Sequence, residues 1–570
     1  MNNKTFISVS IVLIVAACAP GDRQEAEVRP ADLVFRNGNI YTVDAQRSWA
    51  DTVAITGKAI SYVGANDGVT EHIGTDTKVV DLQGRMMVPA FQDIHIHAVG
   101  SGIDALALDL VGLPTVEEYV AAIKTYADEN PDEPWILGSG WSMAVFGPGG
   151  RTSRKLIDEV VPDRPVVVAS ADGHTRWLNS KALEMAGIDN DTPDPVNGRI
   201  DRDPATGEAI GSLQERAMDI VQAVIPAANL ETRTAGLKYA IGMLNAYGIT
   251  SIQPSMVQRP ELEAYRAVDE RDELTLRVVA SIYWDPGRGE EQIDDIKKLR
   301  DEFTHGRVRA TTVKMWQDGV MENYTAALLE PYIGKGDQRG FSMVAPEKLK
   351  TAVPKLDALG FQVHFHAIGD AAVRQCLDAV EEARSQNGDL GNRHHISHLQ
   401  LIHPDDIPRF RELGVIANFQ PLWALADAYQ TELTMPFLGP ERSSWQYPIR
   451  SMQNSGGMIA FGSDWAVSTA NPFEQMETAV TRMGSLGETD EPFYPEERID
   501  LPSAIAAFTI NAAYVNHIDD VTGSVEVGKL ADLVVLDRNL FELAQADISD
   551  TQVLLTLMEG EPVYGDLSAL

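Results

Sequence analysis

The chain has 570 residues, of which 44% are hydrophobic, so it is too long for one simple core and too apolar to be disordered. Its formal net charge of −36 indicates a soluble, self-repelling surface. The same charge argues against nucleic acid as a partner, because phosphate binding needs basic patches.

The first 17 residues have the form of a signal peptide. Lys4 precedes a mostly apolar run from Phe6 to Ala17, which is too short to span a bilayer. The run ends in VAAC, which resembles the lipobox of bacterial lipoproteins, so we expect Cys18 to carry a lipid anchor and residues 18–31 to form a polar tether. The alternative is an ordinary secretory signal with a chance cysteine. Ala19 resembles an outer-membrane sorting signal, which predicts a bacterial cell-envelope protein that faces the periplasm.

Both ends of the remaining chain predict β-structure. Short β segments separated by turn residues fill residues 32–88, which indicates a small antiparallel sheet. Residues 516–570 have the same character, so we expect the two ends to form one small β-sandwich beside a larger middle domain.

The middle of the chain, residues 89–515, alternates apolar strand-like runs with amphipathic helices. These runs include PVVVAS, ITSIQP, LRVVASIYW, TTVKMW, GFQVHFHAIG, HHISHLQ, GVIANFQ and GMIAFGSDW. Repeated βα units predict an α/β fold with a parallel sheet closed into a TIM-like (β/α)8 barrel; an open doubly wound sheet is the alternative. The stretch from His97 to Lys314 is too long for three plain βα units. We therefore expect an insertion at about residues 100–250, with a β-hairpin near Pro193–Leu213.

Candidate metal ligands lie at or near the ends of these runs. His95 and His97 are two apart on a predicted strand, so both imidazoles point to one face, which suits a metal ion. Four later residues have a similar placement: Lys314, His366, His398 and Asp464. The ends of barrel strands converge on one face, so these residues can meet in one cleft. His364 lies one layer deeper than His366, which predicts a hydrogen-bonded core histidine.

Several motifs occur in an order that is informative as a set. They are PAFQDIHIH, SADGHTRWLNSKAL, VKMWQDG, HFHAIGDAAV, HLQLIHPDD, GSDWAV, TINAAYVN and GSVEVGKLADLVVLD. On these motifs the chain resembles the amidohydrolase superfamily, specifically its YtcJ-like branch, amidohydrolase family 3. The resemblance covers nearly all of the chain after the tether. It implies an enzyme that hydrolyses carbon–nitrogen bonds other than peptide bonds, with bound metal.

The resemblance also implies a role for each candidate ligand. One divalent metal ion would be held by His95, His97 and Asp464, and a second by His366 and His398. Lys314 would bridge both as an N6-carboxylated lysine, since an unmodified ammonium has no lone pair to give. Zinc is the expected metal, and a one-metal arrangement remains open. Two departures from the family pattern are Ala90 in place of glycine and Ser397 in place of glutamate; neither removes a ligand, but the second could change an outer-shell hydrogen bond.

The implied mechanism gives Asp464 the proton transfers and makes metal-activated water the nucleophile. His174 is either a hydrogen-bond donor to the substrate carbonyl or a structural histidine, and the role of Asp318 is open. The expected substrate is an N-acyl or N-formyl small molecule. It would carry an apolar or aromatic group if several large aromatic residues line the pocket, namely Trp141, Trp177, Trp316, Tyr324 and Trp423. The alternatives are a cyclic deaminase, a lactonase or a non-catalytic binding lipoprotein; whether the protein is a homodimer is also open.

Overall fold

The computed structural model describes residues 29–485, 489 and 491–570. The predicted signal peptide, Cys18 and most of the predicted tether lie outside the described residues. Within the described ranges, no helix is both long enough and apolar enough to cross a membrane.

Eight parallel strands form the central sheet, and their spatial order follows the chain. We number them barrel strands 1 to 8: Phe91–Ile96, Ile249–Pro254, Arg277–Tyr283, Val308–Trp316, Gln362–Ala367, His395–His398, Ile416–Phe419 and Ile459–Phe461. Most are buried along their whole length, as expected for a parallel sheet covered on both faces.

The residues that follow barrel strand 8 close the sheet against barrel strand 1. The Asp464 amide donates to the His95 carbonyl at 2.7 Å, and the His97 amide donates to the Trp465 carbonyl at 3.0 Å. Gly462 permits this approach, because a Cβ there would lie 2.6 Å from the His95 nitrogen. The predicted barrel is confirmed, and the open doubly wound alternative is wrong.

Helices surround the barrel and share its apolar core. The helices of this domain are Ala98–Asp104, Leu230–Ala246, Arg259–Asp269, Ile293–Phe303, Pro346–Ala358, Asp370–Asn387, Ile407–Leu413, Met435–Ser443, Ile449–Asn454, Pro472–Thr481, Leu501–Phe508 and Ile510–Val515. Cys376 is buried in the Asp370–Asn387 helix, where it packs as a core residue.

The insertion lies between barrel strands 1 and 2 and carries its own six-stranded sheet. In spatial order its strands are Gly198–Arg202, Ala209–Glu215, Thr175–Leu178, Val166–Ser170, Ile136–Trp141 and Leu108–Asp109. Its helices are Val116–Glu129, Met143–Phe146, Arg154–Asp158, Ser180–Met185 and Met218–Gln222. The first two strands form the predicted hairpin. The run PVVVAS, which we placed among the strands of the barrel, belongs to this sheet instead, because a uniformly apolar run has no period that assigns it to one sheet.

The two chain ends form two small sheets packed face to face. One sheet has the strand order Ala59–Gly64, Thr52–Thr56, Leu33–Arg36 and Lys78–Asp81, and the other has the order Glu561–Gly565, Val553–Met558, Leu533–Leu536, Met86–Pro89, Asn39–Tyr41 and Trp49–Ala50. The C-terminal strand Leu533–Leu536 pairs with Met86–Pro89, so both ends share one sheet.

The expectation of a purely antiparallel arrangement at the N-terminal end is wrong for two strand pairs. Leu33–Arg36 runs parallel to Lys78–Asp81, and Asn39–Tyr41 runs parallel to Met86–Pro89. The intervening Thr52–Gly64 hairpin separates the members of each pair, and so long a connection can return the chain in the same direction.

Candidate metal centre

The predicted ligands all lie at or just beyond the carboxyl ends of barrel strands. They are His95 and His97 at strand 1, Lys314 on strand 4, His366 on strand 5, His398 at the end of strand 6 and Asp464 after strand 8. All are buried except His97, whose side chain is 34% exposed. His398 and Asp464 have φ values of 80° and 56°, a conformation that costs energy for non-glycine residues and is found at functional sites.

His95, His97 and Asp464 form one compact group of ligand atoms. The Nε2 atoms of His95 and His97 lie 3.4 Å and 3.2 Å from Asp464 Oδ1, and all three ligand atoms lie within 4.8 Å of one another. Burial raises the pKa of the Asp464 carboxyl, but the two imidazoles beside it hold that pKa well below its usual range. The group therefore offers two nitrogens and a carboxylate to a cation.

A buried hydrogen-bond chain fixes the orientation of His95. His95 Nδ1 lies 2.8 Å from His364 Nε2, which also lies 2.8 Å from Ser397 Oγ, and His364 Nδ1 lies 3.0 Å from Ser281 Oγ. When His95 Nδ1 donates to His364, the His95 Nε2 lone pair points at Asp464. His364 is thus the hydrogen-bonded core histidine that we predicted, and Ser397 takes part in the outer shell.

His366 and His398 form a second pair beside this group, with ring centroids 4.4 Å apart. His398 Nδ1 donates to Gln420 Oε1 at 2.9 Å, which leaves His398 Nε2 buried without a hydrogen-bond partner. His366 Nδ1 lies 3.3 Å from Asp318 Oδ1. In the His398 ring Nδ1 is engaged and Nε2 remains as the atom for a ligand bond, whereas His366 Nδ1 lies near the Asp318 carboxylate without forming a hydrogen bond in the described part of the chain.

Lys314 is the least expected side chain in such a place. It is 1% exposed, and its Nζ has no hydrogen-bond partner among the described residues. Burial lowers the pKa of the Lys314 ammonium to about 7, although the Asp464 carboxylate opposes the shift. Burial lowers the pKa of His95, His366 and His398, and the Lys314 charge adds to each shift, so Lys314 lies near these candidate ligands.

The unsatisfied atoms of this cluster fit bound metal. Within the described ranges, Lys314 Nζ and His398 Nε2 are buried polar atoms without a hydrogen-bond partner, and such atoms are costly unless something binds them. Neutral imidazole nitrogens combined with a carboxylate suit zinc and related divalent ions.

A cavity of about 350 Å³ opens onto the cluster and is lined by His366, His398 and Asp464. Residues of the insertion form part of its wall, including His174. The His174 ring lies 5.5 Å from that of His366, and its Nδ1 lies 3.0 Å from Glu215 Oε2. Burial lowers the pKa of His174, but the Glu215 carboxylate outweighs this and raises it to about 9.

Residues 78–564 match the model of the amidohydrolase family named Amidohydro_3. The chain belongs to this family. This amidohydrolase is similar over nearly its full length to three curated proteins. "Protein LONG AFTER FAR-RED 3" of Arabidopsis thaliana is 32% identical over 94% of this chain and 92% of that protein. "Putative amidohydrolase YtcJ" of Bacillus subtilis is 26% identical over 93% and 99%, and "N-substituted formamide deformylase" of Arthrobacter pascens is 27% identical over 93% and 97%.

A solved structure agrees with the family assignment. The crystal structure of an uncharacterized metal-dependent hydrolase from Pyrococcus horikoshii is 25% identical, covers 90% of this amidohydrolase and 99% of that chain, and has a TM-score of 0.71. The protein is therefore a metal-dependent hydrolase of the amidohydrolase family, and a small molecule is its substrate class. The resemblance stated from the sequence motifs is confirmed at this level.

Several residues of the amidohydrolase site were missed or left open by the sequence motifs. Glu215, which holds His174, lies in a buried strand of the insertion hairpin, and a glutamate in such a strand is the signal that could have identified it. Gln420, which orients His398, follows barrel strand 7 and has no comparable signal. Asp318 accepts hydrogen bonds from three backbone amides and lies beside His366, so its position at the site is now defined.

Most of the aromatic residues named as pocket candidates lie elsewhere. Trp423 lines the cavity and stacks on the His398 ring at 5.3 Å, whereas Trp141 and Trp177 are buried in the core of the insertion. Trp316 contacts the ring of His174, and Tyr324 packs on Phe437. Two tyrosines that the sequence did not single out, Tyr429 and Tyr447, also line the cavity.

Proposed function

We propose that the protein hydrolyses the C–N bond of an N-acyl or N-formyl small molecule at a two-metal centre. The observation that carries the proposal is the arrangement of His95, His97 and Asp464 around one point, beside the His366–His398 pair, at the floor of an accessible cavity. Full-length similarity to a protein named "N-substituted formamide deformylase" supports an amide-type substrate. The cavity wall includes Trp423 and Tyr429, which suits an apolar or aromatic substituent.

The side chains around the cavity divide the work of hydrolysis. Bound divalent metal supplies Lewis acidity, which lowers the pKa of a water molecule to about 7 and polarises a carbonyl oxygen. Asp464 accepts the proton of the attacking water and passes it to the leaving nitrogen. His174, held by Glu215, donates a hydrogen bond to the substrate carbonyl and stabilises the negative charge that develops on its oxygen.

Lys314 completes the centre as an N6-carboxylated lysine. Its Nζ is buried near the candidate histidine ligands and has no partner in the described part of the chain, which is costly for an ammonium and would suit a carboxylate that helps to hold divalent metal. Addition of CO2 to the neutral amine, with release of one proton, would give a carbamate whose oxygen atoms can hold metal rather than repel it.

The first test is metal content and turnover of the purified protein. We expect bound divalent metal by elemental analysis, turnover of a panel of N-formyl and N-acyl amines, loss of turnover on chelation and recovery when zinc is restored. His95→Ala or Asp464→Ala should lower kcat/KM by at least about 1000-fold, because each removes a ligand of the same centre. Circular dichroism of each variant checks that the fold is intact.

His305→Ala is the matched control, because His305 is exposed and lies away from the cluster. It should retain metal and turnover. Turnover of cyclic amidines or lactones but not of acyclic amides would replace this proposal with the deaminase or lactonase alternative. Metal-replete protein that turns over none of these compounds would favour the non-catalytic binding protein.

A further inference from the structure

The cavity has an acidic part that the proposed hydrolysis does not use. Besides Asp464, three carboxylates line it: Asp172, Glu322 and Asp427. No lysine or arginine of the described ranges is among the lining residues. This part of the pocket therefore provides acidic side chains but no cationic side chain to pair with them, which suits a ligand that brings its own positive charge.

Glu322 is the residue that points to a ligand. It is only 7% exposed, and it is one of the residues that line the cavity. In the described part of the chain, its carboxylate receives a hydrogen bond only from its own backbone amide. Burying a carboxylate without a partner is costly, so a site of this kind is stabilised when a cation binds.

The neighbours of Glu322 make its ionised carboxylate less favourable unless a cation binds beside it. Burial and the charges of Asp172 and Asp427 raise the pKa of Glu322 to about 8, against the opposing effect of His174. His174 is already engaged by Glu215. Arg176 interacts electrostatically with Asp172 and Asp104, so the charge of its guanidinium stabilises the Asp172 carboxylate rather than that of Glu322.

The position of Glu322 relative to the candidate metal centre defines the shape of the ligand. His174 interacts with both His366, a candidate metal ligand, and Glu322, and all three side chains line the same cavity. Val320, Leu425 and Tyr429 provide apolar wall in the same cavity. A matching molecule has an amide at one end, an apolar spacer and a cation at the other end.

We propose that the Glu322 end of the cavity binds a protonated amine, so that the substrate is an N-acyl compound carrying a second, basic nitrogen. This inference rests on the proposed amide hydrolysis and specifies its substrate class. The ammonium donates hydrogen bonds to Glu322, with Asp172 and Asp427 contributing negative charge. The amide then lies beside His366, His398 and Asp464.

The test compares substrates that differ in one charge. Mono-N-formyl diaminoalkanes with four to eight carbons are paired with N-alkylformamides of the same heavy-atom length, and kcat/KM is measured on metal-loaded protein. We expect the ammonium member of the best pair to be favoured by about ten- to a hundredfold, the range for a hydrogen bond to a charged group. Glu322→Gln should reduce that ratio to near one, and Asp427→Asn should reduce it in part.

Glu330→Gln is the matched control, because Glu330 does not line this cavity; it should leave the ratio unchanged. Calorimetric binding of hexylammonium and of 1-hexanol to the same protein provides a readout that does not need turnover. We expect hexylammonium to bind more tightly, and Glu322→Gln to remove the difference.

The outcomes separate the two proposals. Hydrolysis of both members of each pair at equal rates, with equal binding of hexylammonium and hexanol, overturns the ammonium site and leaves amide hydrolysis standing. Preferential binding of hexylammonium that depends on Glu322, in protein that hydrolyses no amide, supports the ammonium site and overturns the proposed reaction. If Glu322→Gln does not fold, Asp427→Asn carries the same comparison.

Discussion

Asp318 illustrates how a residue that touches no substrate can control the site. Its Oδ1 accepts from the Ile368 amide at 3.0 Å and lies 3.3 Å from His366 Nδ1, while its Oδ2 accepts from Ala327 and Gly369 at 2.9 Å and 2.8 Å. Both oxygens are therefore committed as acceptors. An asparagine side chain can supply only one acceptor atom, so either the backbone amides or the His366 ring would face the asparagine NH2 group instead.

Asp318→Asn should therefore misplace the His366 ring and weaken metal binding. We expect a loss of about 10- to 100-fold in metal affinity or in kcat/KM, the range seen for outer-shell partners of metal ligands. Titration with a competing chelator measures the affinity. Asp370→Asn is the control, since Asp370 accepts from the nearby Leu329 amide without contacting a candidate ligand. Full metal affinity in Asp318→Asn would show that the contact with His366 has no orienting role.

At this scale, the sequence predicted which residues meet but not how they are held. Strand ends and motif order were enough to select His95, His97, Lys314, His366, His398 and Asp464. Most residues that hydrogen-bond to the candidate ligands could not be predicted. Glu215 and Gln420 come from separate elements, and their contacts depend on tertiary packing. The positive φ values of His398 and Asp464 were equally invisible, because strain of this kind is imposed by the surrounding structure.

Among the elements, Asp357 ties two helices to a barrel strand. It lies at the end of the Pro346–Ala358 helix, is fully buried, and accepts hydrogen bonds from His394 Nε2 at 3.0 Å, Asn387 Nδ2 at 2.8 Å and Asn392 Nδ2 at 2.7 Å. Burial raises its pKa, but the hydrogen bonds from these three side chains lower it to about 2. This cluster leads into the amino end of barrel strand 6, away from the metal centre.

Asp357→Asn should destabilise the fold by about 2.5 kcal/mol at pH 7, the free energy that corresponds to the lowered pKa. Since the folded pKa lies below the unfolded value of about 3.9, the contribution is complete above that value and is lost as pH falls toward 2. The gap between wild type and variant in the free energy of urea unfolding should therefore narrow from pH 7 to pH 3. Asp405→Asn, at an exposed carboxylate, is the control. A gap that is the same at both pH values would contradict the assigned ionisation.

The elements themselves were mostly predictable, and their assignment to sheets was less so. Seven of the eight strand-like runs quoted from the middle of the chain lie in the barrel, because buried parallel strands are continuous apolar runs. The exception, Val166–Ser170, has the same pattern but pairs with other strands of the insertion. Pairing partners depend on chain topology, which periodicity does not record.

At the scale of the whole molecule, the fold brings segments that are distant in sequence together at two places. The two chain ends share one sheet through Met86–Pro89 and Leu533–Leu536, and the insertion supplies wall to the cavity of the barrel. The catalytic proposal depends on the second of these, because the insertion contributes His174 and part of the cavity wall. The predicted lipid anchor at Cys18 lies outside the described residues.

The last prediction concerns this predicted anchor. In a bacterial host, the full chain should be acylated and fractionate with membranes, whereas Cys18→Ala should be unacylated and soluble, because the lipid provides the membrane affinity. Mass spectrometry of the N-terminal peptide measures acylation. Cys376→Ala is the matched control, since Cys376 is the only other cysteine of the chain and is buried in the barrel domain. This substitution should leave acylation unchanged. Membrane association that persists in Cys18→Ala would contradict the lipoprotein prediction and require another means of attachment.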